Sequence, residues 1–248
     1  MRDIAKYAAD YVANYTGFEV HQVHYRRQKT LETLAIYPHS SILEVGCGLE
    51  PLFPWVDEFE SYALIEPAAE FVERARDLTR GDQRVEIYEG FLETSEGLLR
   101  EREYDFIVVS SLLHEVTDPD ALLVALRELC HSHTMVHINV PNAKSLHNLL
   151  GTEMGIIESP NEKSKTAELY QRKSTFDLDS LAQLVGEVGF QVFGHGSYFL
   201  KPFTHSQMQA LLDQGIISRD VLDALYAVVE GTLPNWGSEI YVNVAKKG

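Results

Sequence analysis

Ile42-Leu43-Glu44-Val45-Gly46-Cys47-Gly48 carries most of the structural information in this chain of 248 residues. An apolar run ends in an acid, and two glycines follow with one residue between them. Such a run reads as a buried parallel strand, and the glycines permit a tight turn and close main-chain approach of a ligand. A second acid stands one strand further on. Tyr62-Ala63-Leu64-Ile65-Glu66 reads as the next strand, with Glu66 at its tip. An acid there accepts hydrogen bonds from both hydroxyls of a ribose. The expectation is a nucleoside-containing ligand at the carboxyl ends of the first two strands.

Two kinds of ligand use this layout. A dinucleotide site wants G-x-G-x-x-G, but here the third position is Pro51, preceded by Glu50. An acid beside the turn opposes a pyrophosphate, which favours an electropositive helix N-terminus. A ligand with a positive centre and no phosphate suits the acidic surround. The segment resembles the first motif of the class I S-adenosylmethionine (SAM)-dependent methyltransferases, and further stretches fit that family in order. Glu66-Pro67 resembles its ribose-binding acid, and Glu89-Gly90-Phe91 follows the strand Val85-Glu86-Ile87-Tyr88 where the family contacts adenine. Tyr104 to Ser111 resembles its fourth strand, Leu113 to Pro119 the loop and helix start after it, and Val188-Gly189-Phe190 the turn before the sixth strand.

The resemblance spans residues 25–248. It implies a doubly wound, mostly parallel seven-stranded α/β sheet of the Rossmann-like methyltransferase kind, with helical cap elements and SAM as cofactor. It implies cofactor contacts from Glu44, Gly46, Gly48, Glu66, Pro67, Gly90, Phe91 and Ser110. Two departures stand out: Glu50 where many members have Gly or Ser, and Phe91 where many have Asp. Phe91 is left to stack or pack, and a main-chain amide takes its place against the adenine amino group. Related enzymes set a basic residue of the preceding helix against the cofactor's carboxylate. Arg26 and Arg27 are the candidates, with Arg26 favoured because a guanidinium fork matches a carboxylate; the plainer reading is a solvated arginine.

Composition narrows the alternatives. The length suits one domain, residues 1–248, without a dividing linker or internal repeat. Hydrophobic residues make up 45% of the chain, yet no apolar run approaches the about 18 residues a membrane span needs. Residues 1–10 mix charges with alanines and lack the apolar core of a signal peptide. Two cysteines, Cys47 and Cys130, cannot build a disulfide framework, so a reducing, cytoplasmic compartment is expected. They also cannot supply three thiolates to an iron–sulfur cluster, which excludes radical SAM chemistry. Net charge is −16, from 21 basic and 37 acidic residues, and such a field repels nucleic acid. The basic residues Lys163, Lys165, Arg172 and Lys173 form the one local exception. The Asn/Asp-Pro-Pro-aromatic signature of base amino-group methylation is absent; Ser110-Ser111-Leu112-Leu113 stands in its place.

The first 40 residues read as helical, with a second helix from His21 or Tyr25 to Leu34. Tyr7, Tyr11 and Tyr15 share one face. That stripe reads as core packing, as contact with a second subunit in a homodimer, or as a lid over the substrate; His21 and His24 belong to the same lid reading. Strand and helix alternate from 41 to about 140, which implies right-handed crossovers. Residues 141–175 read as an elaborated loop on the ligand side. Phe176 to Leu181 begins a helix with Asp177 or Asp179 as cap, and Ser197 to Leu200 belongs to the sixth strand. Residues 201–237 read as a helical insertion before the last strand, a cap or dimer element.

Methyl transfer from a sulfonium needs alignment and sometimes a base. His114 and Glu115 stand after the fourth strand, where the methyl points in the family; alternatively His114 caps the helix that starts near Pro119. The exit of the fifth strand, Asn139-Val140-Pro141-Asn142, makes a rigid polar corner. Asn142 and His147 are candidates for substrate hydroxyls or carboxylates, with a capped helix start as the equal alternative. Tyr11 and His24 are the lid's substrate candidates. His131, His133 and His137 form the densest histidine cluster but lack an acidic partner set, so no metal is expected. The reading is SAM-dependent methylation of a small polar metabolite, at oxygen of a sugar or secondary metabolite. The alternatives are a peptide or protein carboxylate as acceptor, a nicotinamide-dependent oxidoreductase, and a non-catalytic cofactor-fold subunit.

Overall fold

The computed structural model describes residues 3–160 and 174–248. The basic residues Lys163, Lys165, Arg172 and Lys173 lie outside them. Seven strands form one sheet in the order β3-β2-β1-β4-β5-β7-β6: β1 Ser41–Val45, β2 Ser61–Glu66, β3 Val85–Glu89, β4 Phe106–Ser110, β5 Met135–Pro141, β6 Phe190–Tyr198 and β7 Glu239–Lys246. The first five pair in parallel, and β7 runs antiparallel between β5 and β6. This is the doubly wound sheet expected from the resemblance. Its strand order reverses between β1 and β4, and a ligand crevice opens at such a switch point.

The central strands are apolar on both sides because helices cover both faces. Ile42, Leu43, Leu64, Ile107 and Val109 are all below 2% exposed. One core joins β1, β4, β5 and β7 to α4 (Leu92–Leu99), α5 (Pro119–Leu129) and α7 (Leu178–Val188). The other joins β1, β2 and β4 to Leu34 of α2 (Glu19–Leu34) and Ala75 of α3 (Ala69–Thr79). The helix starts carry local signals. Asp118 accepts from Ala121 N–H at 3.0 Å with Pro119 in the first turn of α5. Asp177, not Asp179, caps α7 in a capping box with Ser180.

Three elements differ from the sequence reading. The second helix begins at Glu19, ahead of the expected His21 or Tyr25. β6 ends at Tyr198, since Phe199 takes a left-handed backbone (φ +55°) that no strand continues through. Within the loop expected over 141–175, a short helix α6 spans Leu146–Glu153. The insertion forms α8 (His205–Asp213) and α9 (Arg219–Gly231), whose Met208, Leu222 and Tyr226 pack with Phe18, Tyr25 and Phe199. Its buried face is thereby committed to the α2 region. The first helix, α1 (Ile4–Asn14), touches the body through Ala8, packed with Ala68 and Phe71. No described helix is long and apolar enough to cross a membrane.

Candidate active site

A cavity lies at the carboxyl ends of β1, β2 and β4, enclosing about 1050 Å³ counted out to its open mouth. The glycine turn, Glu66, Pro67 and Ser110 form one side. Tyr7 and Tyr11 of α1, Tyr15 just after it, then Glu19 and Arg26 of α2, form the other, with Glu115 beside them.

The turn is shaped by backbone. Gly46 has φ +74° and Gly48 φ +56°, where side chains are strained. A Cβ on Gly46 would lie 2.9 Å from Cδ2 of Leu112, whereas one on Gly48 would meet nothing within 4 Å. Glu44 fixes the far end of the turn: its carboxylate accepts from Leu52 N–H at 3.0 and 3.2 Å and from Tyr62 O–H at 2.7 Å. Burial pushes the Glu44 carboxyl up to about 7, against those bonds. Glu66 accepts from Gly48 N–H at 3.2 Å and Ala68 N–H at 2.9 Å, one to each oxygen. Burial raises its carboxyl to about 6. Each oxygen keeps a lone pair for a ribose hydroxyl. A side-chain-free turn beside a buried carboxylate fits the nucleoside of SAM, with Pro67 next to it on the wall.

Arg26 lines the cavity, but its fork is already occupied. Nε lies 3.0 Å from both oxygens of Glu239, which also accepts from Tyr198 O–H and from Gln22 Nε2 at 3.0 Å. Burial alone would raise the Glu239 carboxyl, yet the Arg26 charge and these bonds hold it below its ordinary value. In this structure the guanidinium expected against the cofactor's carboxylate lines the cavity while held in a buried ion pair with Glu239. Arg27 donates to Glu50 at 2.6 Å and lies over the Trp55 ring at 4.1 Å. Glu50, the sequence departure beside the turn, is thus a partner for Arg27.

Gly90 and Phe91 do not line the cavity. Gly90 N–H donates to the Glu66 carbonyl at 3.1 Å, and Phe91 is 44% exposed just before α4.

After β4 the chain makes a sharp crook. Ser110 Oγ sits 3.2 Å from Asn139 Oδ1, and Ser111, at φ +54°, donates its N–H to the same oxygen at 3.0 Å. The crook sets Leu112 over Gly46 and brings Glu115 to the wall, where it accepts from Tyr7 O–H at 2.7 Å. His114 is 2% exposed and absent from the wall; its Nε2 is 3.7 Å from Glu115 Oε1. It is not the cap of α5 either, since Asp118 fills that role. Of the two adjacent candidates, only Glu115 faces the cavity.

The other candidates lie elsewhere. Asn142 is a structural clamp: its amide donates to the carbonyls of Asn235 and Gly237 at 3.0 and 2.9 Å, and its oxygen accepts from Lys144 N–H. His147 is outside the cavity, held neutral by burial, which lowers it to about 3. His24 lines a separate shallow cavity with Leu31 and Trp55. Tyr11 does line the main one. His137 is buried against Asn243 at 2.7 Å, and no group of three His, Cys, Asp or Glu among the described residues could hold a metal ion. Sequence reasoning missed Glu19 and Glu239. Glu19 opens a different helix from Tyr7 and Tyr11, so the tyrosine spacing gave no signal for it. Glu239 carried no local signal, lying 213 residues from Arg26.

Solved structures share the fold. A SAM-dependent methyltransferase of Thermotoga maritima, described as a possible histamine N-methyltransferase, aligns with a TM-score of 0.62 at 17% identity over 98% of both chains. The plantazolicin methyltransferase BamL, solved with a triazolic substrate analogue and S-adenosylhomocysteine (SAH), aligns at 0.54 and 17% over 99% of this chain and 98% of that one. A SAM-dependent methyltransferase from Archaeoglobus fulgidus gives 0.54 and 16% over 88% and 92%. No curated protein matches the sequence. The family model described as a methyltransferase domain matches residues 20–194, well over half of the chain. On that match, with the sheet and glycine turn in place, this chain belongs to the class I SAM-dependent methyltransferases, enzymes whose cofactor is SAM.

Proposed function

We propose that the enzyme methylates a heteroatom of a small polar metabolite bound between α1 and the crook after β4. The observation that carries this is the Glu115 carboxylate on the cavity wall, reached by Tyr7 from α1. Bound SAM supplies an electrophilic methyl carbon on a sulfonium. Gly46, Gly48 and Glu66 hold its nucleoside, and Glu44 keeps the turn in shape. Glu115 accepts the proton of the incoming acceptor, and Tyr7 orients the carboxylate. Such a base contributes about 10²–10⁴ in rate. The α1 helix serves as the lid.

Oxygen of a sugar or secondary metabolite was the sequence expectation, with Asn142 and His147 as candidate substrate ligands. Both stand away from the cavity, so acceptor groups meet Glu115, Glu19 and the tyrosines instead. A peptide or protein carboxylate is the second reading; the acidic wall disfavours it, because like charges repel. Cys47 beside the cofactor turn and Cys130 in the core, both free thiols, support a cytoplasmic setting.

Calorimetry with SAM and SAH is the first test, followed by transfer of labelled methyl to hydroxyl, amine and carboxylate compounds. Glu115→Gln should cut turnover by about 10²–10⁴ with SAH affinity within a few-fold. His114→Ala should cost less than about ten-fold in turnover. No binding of either ligand at millimolar concentration would overturn the proposal, and a preferred carboxylate acceptor would install the second reading.

A further inference from the structure

His137 does not line the cavity, but a chain of polar side chains leads from it to the cavity wall. Asn243 stands opposite His137 across the β5–β7 ladder, and Ser110 stands opposite Asn139 across the β4–β5 ladder. His137 and Asn139 are fully buried, and Asn243 nearly so. His137 Nδ1 lies 2.7 Å from Asn243 Oδ1, and Asn139 Nδ2 lies 3.2 Å from His137 Nε2. At the far end Asn139 Oδ1 accepts the Ser111 N–H at 3.0 Å; that N–H also reaches the Asn139 main-chain carbonyl at 2.9 Å. Polar groups buried this deeply cost free energy unless each is paired. Apolar residues would cover the same sheet without that cost, so the network is better explained by the orientation it imposes.

That orientation follows from one unambiguous donor. A main-chain N–H only donates, so the Asn139 atom facing Ser111 is oxygen and the other is the amide nitrogen. The amide nitrogen donates to His137 Nε2, which therefore carries no proton. The ring proton sits on Nδ1 and goes to Asn243 Oδ1. A second ring proton would set two donors against each other, and burial agrees, lowering the imidazole to about 4. The chain ends on Ser111, whose left-handed backbone turns the crook after β4. Ser110, Ser111, Leu112 and Glu115 all line the cavity, and Leu112 lies where a Cβ on Gly46 would be.

We infer that His137, as its Nδ1–H tautomer, is a positioning residue that sets the crook after β4 through Asn139. It touches neither cofactor nor acceptor. It holds the carboxamide of Asn139 with its oxygen toward Ser111, and the crook then carries Leu112 to the glycine turn and Glu115 to the wall. The hold on Leu112 bears on cofactor binding whatever the acceptor is; the hold on Glu115 rests on the function proposed above.

The test uses the full chain with SAH as the probe. Long-range nitrogen–proton correlation spectra at neutral pH should show His137 protonated at Nδ1 and bare at Nε2. Two substitutions then divide the ring. His137→Asn puts an amide nitrogen in the place of Nδ1 and keeps a donor for Asn243. His137→Gln reaches the place of Nε2 with its carbonyl and keeps an acceptor for Asn139. Calorimetry should show SAH binding within about three-fold of the natural chain in the Gln variant and at least about ten-fold weaker in the Asn variant. Hydrogen exchange at the Ser111 amide should quicken by at least about ten-fold in the Asn variant and hold in the Gln variant. A proton on Nε2, alone or with one on Nδ1, overturns the inference whether or not the variants fold. So do equal SAH affinities in the two variants, and so does the reverse order, which would make Asn243 the partner that matters. Failure of the natural chain to bind SAH overturns the methyltransferase reading instead, and the tautomer and the Ser111 exchange still decide the positioning role.

Discussion

The two sides of the cavity are built in opposite ways. The cofactor side comes mainly from one run of chain, residues 41–68, with Ser110 beside it, and its shape is held by backbone: two left-handed glycines, and two carboxylates bonded to main-chain amides. The acceptor side is assembled from remote segments through side chains. Tyr7 meets Glu115 across 108 residues, and Arg26 meets Glu239 across 213. Its helix α1 rests on a small cluster around Ala8, Ala68 and Phe71. A backbone-built site tolerates little change and marks the family. A side-chain-built site can be rewritten without disturbing the sheet, and in the proposed function it is where the acceptor is chosen.

The comparison breaks first at Gly46. A Val there meets Leu112 and demands φ +74° of a β-branched residue, so SAH affinity should fall by more than about 100-fold. Far-ultraviolet circular dichroism should still report a folded sheet. Normal SAH binding in this variant would show that side chains, not backbone, make the cofactor side.

Glu66→Ala removes a charge-assisted contact to the ribose and should weaken SAH by about 10- to 100-fold. Burial raises this carboxyl to about 6, so SAH affinity should decline as pH drops below that value. Glu66→Gln should flatten the decline. Stability follows the opposite sign. The folded carboxyls of Glu66, near 6, and Glu44, near 7, keep protons that the unfolded chain has released. Unfolding free energy should therefore fall as pH rises, through both groups from the ordinary carboxylate value to about pH 6 and through Glu44 alone to about pH 7, on the order of 1 kcal/mol per group per pH unit. Denaturant melts at pH 5 and pH 8 measure it, and Glu44→Gln should remove the larger share.

Tyr7→Phe is the mildest change and sharpens the other side. It deletes one hydrogen bond from α1 to Glu115, so kcat/KM for the acceptor should fall by less than about ten-fold while SAH affinity holds. A loss of SAH binding in Tyr7→Phe would mean that the two sides are coupled through α1.

Much of this molecule was legible along the chain because its signals are local. Strand-ending glycines, strand-tip acids and apolar runs covered on both faces each act within a few residues, and they led to the sheet and to Glu44, Gly46, Gly48 and Glu66. Legibility failed where a residue's meaning depends on a distant partner. Asn142 reads as a substrate ligand until the carbonyls of Asn235 and Gly237 are seen to occupy it. Arg26 reads as a carboxylate clamp for the cofactor until Glu239 fills its fork. His114 and Glu115 are neighbours in sequence, so no spacing rule separates them.

The sequence by itself determined the cofactor family and the sheet, since glycine conformations and strand burial are set by residues next to one another. The tertiary structure alone decided which of His114 and Glu115 faces the cavity, and that Arg26 and Arg27 are each engaged by a glutamate. The direction of a side chain after a crook is fixed by the Ser111 backbone and the Asn139 carboxamide that hold it. The partner of a buried charge is chosen by the packing of segments far apart in the chain, and hydrophobic periodicity carries no record of that choice.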